Sequence, residues 1–468
     1  MSTQDHGQKD AAFRTATEKW DLVDALMGGT DSMRAAGQLY LPKFSAEDNE
    51  LYAQRVGTST LFNAYKKALE TNVGRITAKP IQVEGGSVNL EGFVDNVDST
   101  GRSLNEFTKD VLTDAMNHGV AYILVDFPRD TAGITLENIN TIRPYFVDIS
   151  APQVLSIRSA NTRGIEDLVY FKYAVTTQYA FDGWDDTDSS EVQQIREYQK
   201  VDGVVSYRVK EQQQVEGSTE STYVTIEEGV MGGLTNIPII PVYANRTAYM
   251  MGAPLFNDLA ELNIRHWQSS SDQQWILHFA RAPILFAKGM EDTDENGLKV
   301  NIVVGPNSVV LSDRADADMK YVEHGGTAIA SGQADLDSVE DQMSVMGLDV
   351  AIDRTGGMTA TSRAINAAGS NSLLQSVAVQ MEDSLITALM LVEMFYNSTT
   401  PFTVDINKEY IPVFDSNEMK DVWEMYRNNM LTASDVLREG KRRNLLTPSH
   451  IIDDDFNTKT FTTDTDTE

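Results

Sequence analysis

The sequence contains no cysteine among its 468 residues. This absence excludes disulfide scaffolds, zinc ribbons, iron–sulfur clusters and cysteine nucleophiles. A chain without cysteine is compatible with any compartment but is most natural in a reducing one.

Positive charge is scarce as well. The chain has 38 Lys and Arg against 69 Asp and Glu, a formal net charge of −31. A surface this acidic does not hold nucleic acid by neutralising phosphates, because that requires dense Lys and Arg. It is also poorly suited to an anionic membrane. Nevertheless 41% of the residues are hydrophobic, enough to argue against global disorder.

Long apolar runs are missing too. No segment reaches about 18 consecutive apolar residues, so we expect no transmembrane helix and no membrane partner. Residues 1–10 are polar and lack the apolar region of a secretory signal. We therefore expect a soluble protein that is made in a cytoplasm.

Motifs for catalysis or metal binding are equally sparse. Neither G-x-x-x-x-G-K-[ST] nor G-x-S-x-G occurs, and the six histidines lack metal-binding spacing. The segment Asp292-x-Asp294-x-Asn296-Gly297 matches half of an EF-hand loop. Val303 occupies the position of the essential glutamate, so we interpret the segment as an acidic turn. The sequence predicts no enzyme, no metal site and no cofactor.

Periodic patterns predict the elements of the first part of the chain. Helical periodicity covers residues 13–34, 45–79 and 103–118, and Gly119 ends the third helix. The nearly continuous apolar run at 121–127 predicts a buried strand.

The second part alternates between β and helical patterns. Residues 143–246 predict an antiparallel β region, and Pro254 opens a long helix to Arg281. Residues 282–322 return to a β pattern. A helix at 331–350 and a very long one at 359–397 follow. This order indicates an α+β fold.

The last two helices carry continuous apolar stripes. The first stripe comprises Leu336, Val339, Met343 and Met346, with Asp337 and Asp341 on the opposite face. The second comprises Leu374, Ala378, Met381, Leu385, Leu389, Val392 and Phe395. We expect one compact domain to be unable to cover all these faces, so that neighbouring copies supply the missing surface.

Several short sequence motifs support a family resemblance. They are residues 40–43 (YLPK), 61–63 (LFN), 79–80 (KP), 254–272 (PLFNDLAELNIRHWQSSSD), 305–306 (GP) and 359–361 (TAT). Together with the element order, they resemble the stem–clip–stem–tunnel-loop–wing-helix core of tailed-phage portal proteins. The similarity is to a siphophage/podophage subfamily first catalogued as a domain of unknown function, and it covers about residues 20–455.

The resemblance implies an elongated, ring-forming protomer with wing, stem, clip and short crown regions. Carried over by position, the regions are a flexible N-terminal arm (1–19), the wing (20–253), stem helix 1 (254–281), the clip (282–325), stem helix 2 (326–350), the tunnel loop (351–358), the wing helix (359–400), a wing strand (401–411), the crown (412–456) and a disordered tail (457–468).

Portal proteins form rings, usually dodecamers, at one capsid vertex, where they serve DNA packaging, genome retention, ejection and tail attachment. The resemblance therefore implies a homo-oligomer that DNA passes through. Its expected partners are the terminase large subunit, a head–tail adaptor, the major capsid protein and, as a further candidate, a scaffold protein. The expected location is the portal vertex of the virion, after assembly in the host cytoplasm.

The resemblance also implies roles for individual residues. The tunnel loop would comprise Ile352, Asp353, Arg354, Thr355, Gly356, Gly357 and Met358. The clip surface for adaptor or terminase would include Lys299, Gly305, Pro306 and Asn307. Lys441, Arg442 and Arg443 are candidates for a crown contact with DNA, with stabilisation of a helix C-terminus as the alternative.

The acidic charge fits a channel, because DNA must slide through it rather than adhere. We expect Asp337 and Asp341 to face the channel. Arg354 is a candidate phosphate contact; alternatively it pairs with Asp353 or with an acid of a neighbouring subunit. Two other functions remain open: another ring-forming phage head or neck protein, and a carboxylate-based hydrolase.

Overall fold

The structure, a computed structural model, describes residues 7–128, 143–178, 191–214, 221–281, 284–288, 318–322, 326–347, 360–408, 410, 424–428, 432 and 436. The chain divides into two units, Met1–Asn407 and Lys408–Glu468. The first unit combines helices with antiparallel sheets, which confirms the α+β class. In the second unit, residues 424–427 are helical.

Six helices lie in the N-terminal part of the first unit. They are α1 (Ala11–Met27), α2 (Gly29–Ala36), α3 (Asn49–Thr58), α4 (Ala64–Ile76), α5 (Val88–Phe93) and α6 (Leu104–His118). The predicted bounds of α6 and its end at Gly119 are confirmed. Ser103 and Glu106 form a capping box at its start, and Gly119 with φ +90° ends it.

The single helix predicted at residues 45–79 is wrong, because α3 and α4 are separate helices. The Asp48 side chain caps α3 by accepting a hydrogen bond from the Leu51 amide. The Asn63 side chain accepts one from the Lys66 amide and donates one to the Leu26 carbonyl at 2.7 Å. These side-chain bonds start a new helix and compete with continuation of the old one.

Two main sheets form the β region. The first has the antiparallel order β3 (Tyr145–Ser150), β2 (Val120–Asp126), β9 (Ile239–Tyr243), and every residue of β2 is buried, as predicted. The second is a meander of β4 (Val154–Thr162), β5 (Ile165–Gln178), β6 (Glu191–Val201), β7 (Val204–Gln214) and β8 (Ser221–Val230). The predicted β region is confirmed, but it forms two sheets, and the sequence did not indicate β4.

Three short pairs complete the strands of the described residues. β1 (Gln82–Gly85) pairs with β14 (Phe402–Asp405), β10 (Arg246–Ala248) with β11 (Met251–Gly252), and β12 (Ile284–Lys288) with β13 (Asp318–Val322). All three pairs are antiparallel. The first pair joins the segment after α4 to the segment after the last long helix.

The long helices are α7 (Asn257–Ala280), α8 (Gly326–Met346) and the 36-residue α9 (Ala360–Phe395). Helix α7 begins three residues later than predicted. Pro254 does not open it, because the Leu255 amide donates to the Met116 carbonyl at 3.2 Å and the first helical bond joins Ala260 to Phe256.

The expectation that the predicted stripes need a neighbouring copy is wrong. Every stripe residue except Met346 and Phe395 is buried within the protomer. Met346 lies in the last turn of α8 and is 48% exposed, while Phe395 is 38% exposed and stacks on Phe127 at 5.2 Å. The other large apolar side chains of α9 that are exposed lie outside the stripe, at Leu373, Val379, Met390 and Met394.

Candidate functional site

Helices α7 and α8 form an antiparallel pair. Strand β12 follows α7 and pairs with β13, which precedes α8, so the chain returns alongside itself. The helices are joined by an Arg265–Asp335 ion pair at 2.7 Å and a His266–Glu340 contact at 3.3 Å.

The two helices approach each other closely at Gly332. The buried Gln273 side chain crosses from α7 and donates to the carbonyl of Ile329 at 2.8 Å. A Cβ atom at position 332 would lie 2.2 Å from the Gln273 Oε1 atom. The absence of a side chain at Gly332 therefore allows Gln273 to be buried between the helices.

The predicted channel acids lie on the outer side of this pair. Asp337 and Asp341 are both exposed, whereas Leu336 and Val339 pack inward. Asp337 accepts a hydrogen bond from Gln333 at 3.0 Å. Helix α8 contains four acidic residues and no Lys or Arg, so its surface is strongly negative. That these acids face a channel stays a prediction.

Helix α7 is fastened to the segment before α4 by a buried asparagine. Asn263 accepts a hydrogen bond from the Tyr65 amide and donates one to the Phe62 carbonyl, each at 2.9 Å. The Phe62 and His266 rings lie 5.2 Å apart. Asn263 thus satisfies one backbone group at the start of α4 and one just before it.

A buried arginine makes the second attachment of α7. Arg55 is 1% exposed and forms two hydrogen bonds to Glu47, at 2.8 and 2.9 Å. It also donates to the Pro42 carbonyl at 2.8 Å and reaches Asp272 of α7 at 3.4 Å. The hydrogen bonds from Arg55 lower the pKa of Glu47, whereas burial raises the pKa of Asp272 despite the opposing charge of Arg55.

Two further hydrogen bonds complete this interface. Ser59 donates to Ser271 at 2.8 Å, and the Gln268 side chain donates to the Tyr40 carbonyl at 3.0 Å. The motifs at residues 40–43, 61–63 and 254–272, on which the family resemblance rests, therefore meet in one interface. Sequence reasoning missed this role. The available signal was polar residues, such as Asn263 and Ser271, placed among the buried positions of α7.

The C-terminal end of α8 rests on α4. Gly347 would place a Cβ atom 3.2 Å from the Cβ of Ala68. The buried Asn72 side chain donates to the Gly347 carbonyl at 3.3 Å. Both helices of the pair are thus attached to α3 and α4: α7 through Asn263, Ser271 and Asp272, and the end of α8 through Gly347.

The segment leading into α7 crosses Gly119 with backbone-to-backbone contact. A Cβ atom at Gly119 would lie 2.1 Å from the Ala253 carbonyl oxygen, and one at Gly252 would lie 2.4 Å from the Gly119 carbonyl carbon. The Gly119 carbonyl accepts hydrogen bonds from the amides of Ala244 and Asn245. This crossing determines where α7 begins relative to α6.

Several predicted site residues lie outside the described residues. These are the tunnel-loop residues 352–358, the clip residues Lys299 and 305–307, the crown residues 441–443, and the acidic turn at 292–297.

Among the described residues, no three His, Asp or Glu side chains are grouped so that they could hold a metal ion. No helix in the same part of the chain is both long and apolar enough to span a bilayer.

Comparisons with known proteins give a partial match. A family model described as a domain of unknown function (DUF4055) matches residues 254–396, which include α7, α8 and α9. No curated protein matches the sequence.

Two solved structures resemble the fold at low identity. A chain of "Neck of empty GTA particle computed with C6 symmetry" is 10% identical, with a TM-score of 0.43, over 81% of this chain and 88% of that chain. A chain of "Neck of native GTA particle computed with C12 symmetry" is 11% identical, with a TM-score of 0.39, over 82% and 89%.

Proposed function

We propose that this chain is the subunit of a phage portal ring that carries DNA through a central channel at one capsid vertex. The ring serves packaging, genome retention, ejection and tail attachment, and it is expected to be a dodecamer. Its partners are the terminase large subunit, a head–tail adaptor and the major capsid protein. The chain has no catalytic role.

The order of elements from α7 to α9 carries this proposal. An antiparallel helix pair encloses a β-containing segment and is followed by a helix of 36 residues. This is the stem–clip–stem–wing-helix order that the sequence resemblance implies. The observed helix bounds lie within four residues of the regions assigned to the stem and wing helices, apart from the end of the wing-helix region at residue 400.

Exposed apolar side chains support assembly. Val345 is 75% exposed, Met390 53% and Met394 56%, although each lies on a helix whose other side is well packed. Large apolar side chains left outside a packed helix are suited to contact with another protein surface. In a ring, the adjacent protomer provides that surface.

The acidic helix pair supports passage of DNA. Asp337 and Asp341 add negative charge to a helix that has no basic residue. Carboxylates repel phosphates and release no DNA counterions, so DNA close to them remains free to slide.

Purified full-length protein is expected to form rings. Light scattering should give a mass many times the protomer mass of 51.8 kDa, and negative-stain images should show a central hole. A monomer or dimer at all concentrations would contradict the proposal and favour the hydrolase alternative.

Charge reversal of the outer acids tests the channel. In assembled rings, Asp337→Lys with Asp341→Lys is expected to raise the affinity for linear duplex DNA by about tenfold or more and to steepen its salt dependence, because new cations release counterions. Fluorescence anisotropy measures both quantities. In particles, the same change should slow packaging or ejection.

A matched control carries the same charge change elsewhere. Glu84 and Glu91 are exposed acids far in sequence from α8. Glu84→Lys with Glu91→Lys should leave DNA affinity nearer that of the unmodified ring. Equal effects of the two double variants, or none from the α8 variant, would contradict the assignment of Asp337 and Asp341 to the channel.

A further inference from the structure

The five-stranded sheet has two chemically different faces. One face contributes Phe171, Tyr173, Tyr198 and Val205 to the hydrophobic core. The other face carries Arg158, Lys172, Arg208 and Lys210. Lys200 lines the margin of the same surface, although it pairs with the core residue Val205. Cross-strand pairing places Lys172 and Arg208 on either side of Glu197. Cations from strands β4, β5 and β7 are therefore gathered on one surface.

The start of α1 closes one side of this surface. Lys9 and Arg14 border it together with Asp10, whose carboxylate accepts a hydrogen bond from Ser156. The result is an open basin of about 760 Å³, which we call the cationic basin. Arg14, Arg158 and Arg208 are exposed at its surface.

The charge of the cationic basin opposes that of the chain. Its lining has seven Lys and Arg against two carboxylates, Asp10 and Glu197, a local balance of plus five. Two more carboxylates, Asp167 and Glu228, bind Lys200 and Arg208 and reduce this balance to plus three. The whole chain carries −31. Among the described residues, Arg14 and Arg158 form no ion pair with another side chain.

We propose that the cationic basin receives an acidic surface of an adjacent copy of this chain. The inference rests on the proposed ring, because copies that each carry −31 repel one another on close approach. A cationic concavity set against the acidic surface of the next protomer converts that repulsion into attraction and gives the contact an orientation. The basin thus acts as one half of a subunit contact.

A nucleic-acid ligand is less compatible with the same observations. Asp10 and Glu197 lie among the cations and would repel phosphates, and the net charge of the protein opposes the approach of any polyanion. Another copy of the chain offers many carboxylates, since the sequence has 69 acidic residues.

The test reverses the charge of the three exposed arginines, which leaves the buried lysines in place. Full-length protein carrying R14E, R158E and R208E is expected to need about tenfold or more higher concentration to form rings in about 0.1 M salt. The matched control is K67E with K109E and R163E, three exposed cations outside the basin. Light scattering across a dilution series measures assembly, and circular dichroism establishes that both variants are folded.

Zero-length carbodiimide crosslinking of mixed light- and heavy-isotope rings identifies the partner directly. The expected products join Lys9 or Lys200 to an Asp or Glu of a differently labelled copy. Crosslinks confined to single copies, or ring assembly unaffected by the basin variant, would overturn the inference while leaving the ring intact. Loss of duplex DNA binding in the basin variant, with rings unchanged, would also overturn it and indicate a nucleic-acid site. Unmodified protein that forms no ring would instead defeat the proposed function.

Discussion

Gly119→Ala is expected to lower the free energy of unfolding of the first unit by about 3 kcal/mol or more. The native φ at this position is +90°, a conformation that an L side chain rarely adopts. The added Cβ atom would also lie 2.1 Å from the oxygen and 2.2 Å from the nitrogen of Ala253. Neither the backbone at Gly119 nor that at Ala253 can move away easily. The Gly119 carbonyl accepts two hydrogen bonds, and the Ala253 amide donates one to the Asn245 carbonyl.

Gly203→Ala is the matched control for this change. Gly203 has φ +79°, but a Cβ atom there would meet nothing within 4 Å. The control isolates the conformational penalty, about 1–2 kcal/mol, from the steric one. Urea denaturation followed by circular dichroism gives both values. Equal destabilisation by the two substitutions would mean that contact with Ala253 contributes nothing.

Arg55→Met is expected to destabilise the first unit by about 3–5 kcal/mol. The substitution leaves the Glu47 carboxylate, with a side chain that is 4% exposed, without its cation in a buried site. It also removes the hydrogen bond to the Pro42 carbonyl and the link to Asp272 on α7. Since α7 forms half of the helix pair, ring assembly should be lost as well.

A double-mutant cycle tests whether the buried charge is responsible. Adding Glu47→Gln to Arg55→Met should recover a substantial part of the loss, because no uncompensated carboxylate remains. Asp272→Asn alone should change stability by about 1 kcal/mol or less, since that side chain is 44% exposed. A double variant less stable than Arg55→Met would contradict the assignment of the cost to Glu47.

The sequence was most informative where structure depends on neighbours along the chain. The start and end of α6 follow from Ser103, Glu106 and Gly119, which act within a few residues of the helix ends. The buried strand β2 follows from its apolar run, and the extent of α9 follows from helical periodicity. Helix α8 begins five residues earlier than the periodicity predicts, at Gly326 instead of residue 331.

The candidate site was less predictable. The exposed positions of Asp337 and Asp341 follow from the periodicity of α8. The roles of Arg55 and Asn263 do not, because the sequence does not show which groups a polar side chain on a helix meets in the fold. Their partners identify them, and some of these lie about two hundred residues away: Asn263 and Phe62 are separated by 201 positions.

By itself, then, the amino-acid order determined the α+β class, the acidic charge and the local helix and strand signals, since these depend on composition and short-range periodicity. Only the tertiary structure decided that α7 begins three residues after Pro254 and that the apolar stripes are buried inside one protomer. It also placed cations from three strands on a single face of the sheet. These features arise from backbone contacts, hydrogen bonds and strand register between distant segments, and chain folding alone brings those segments together.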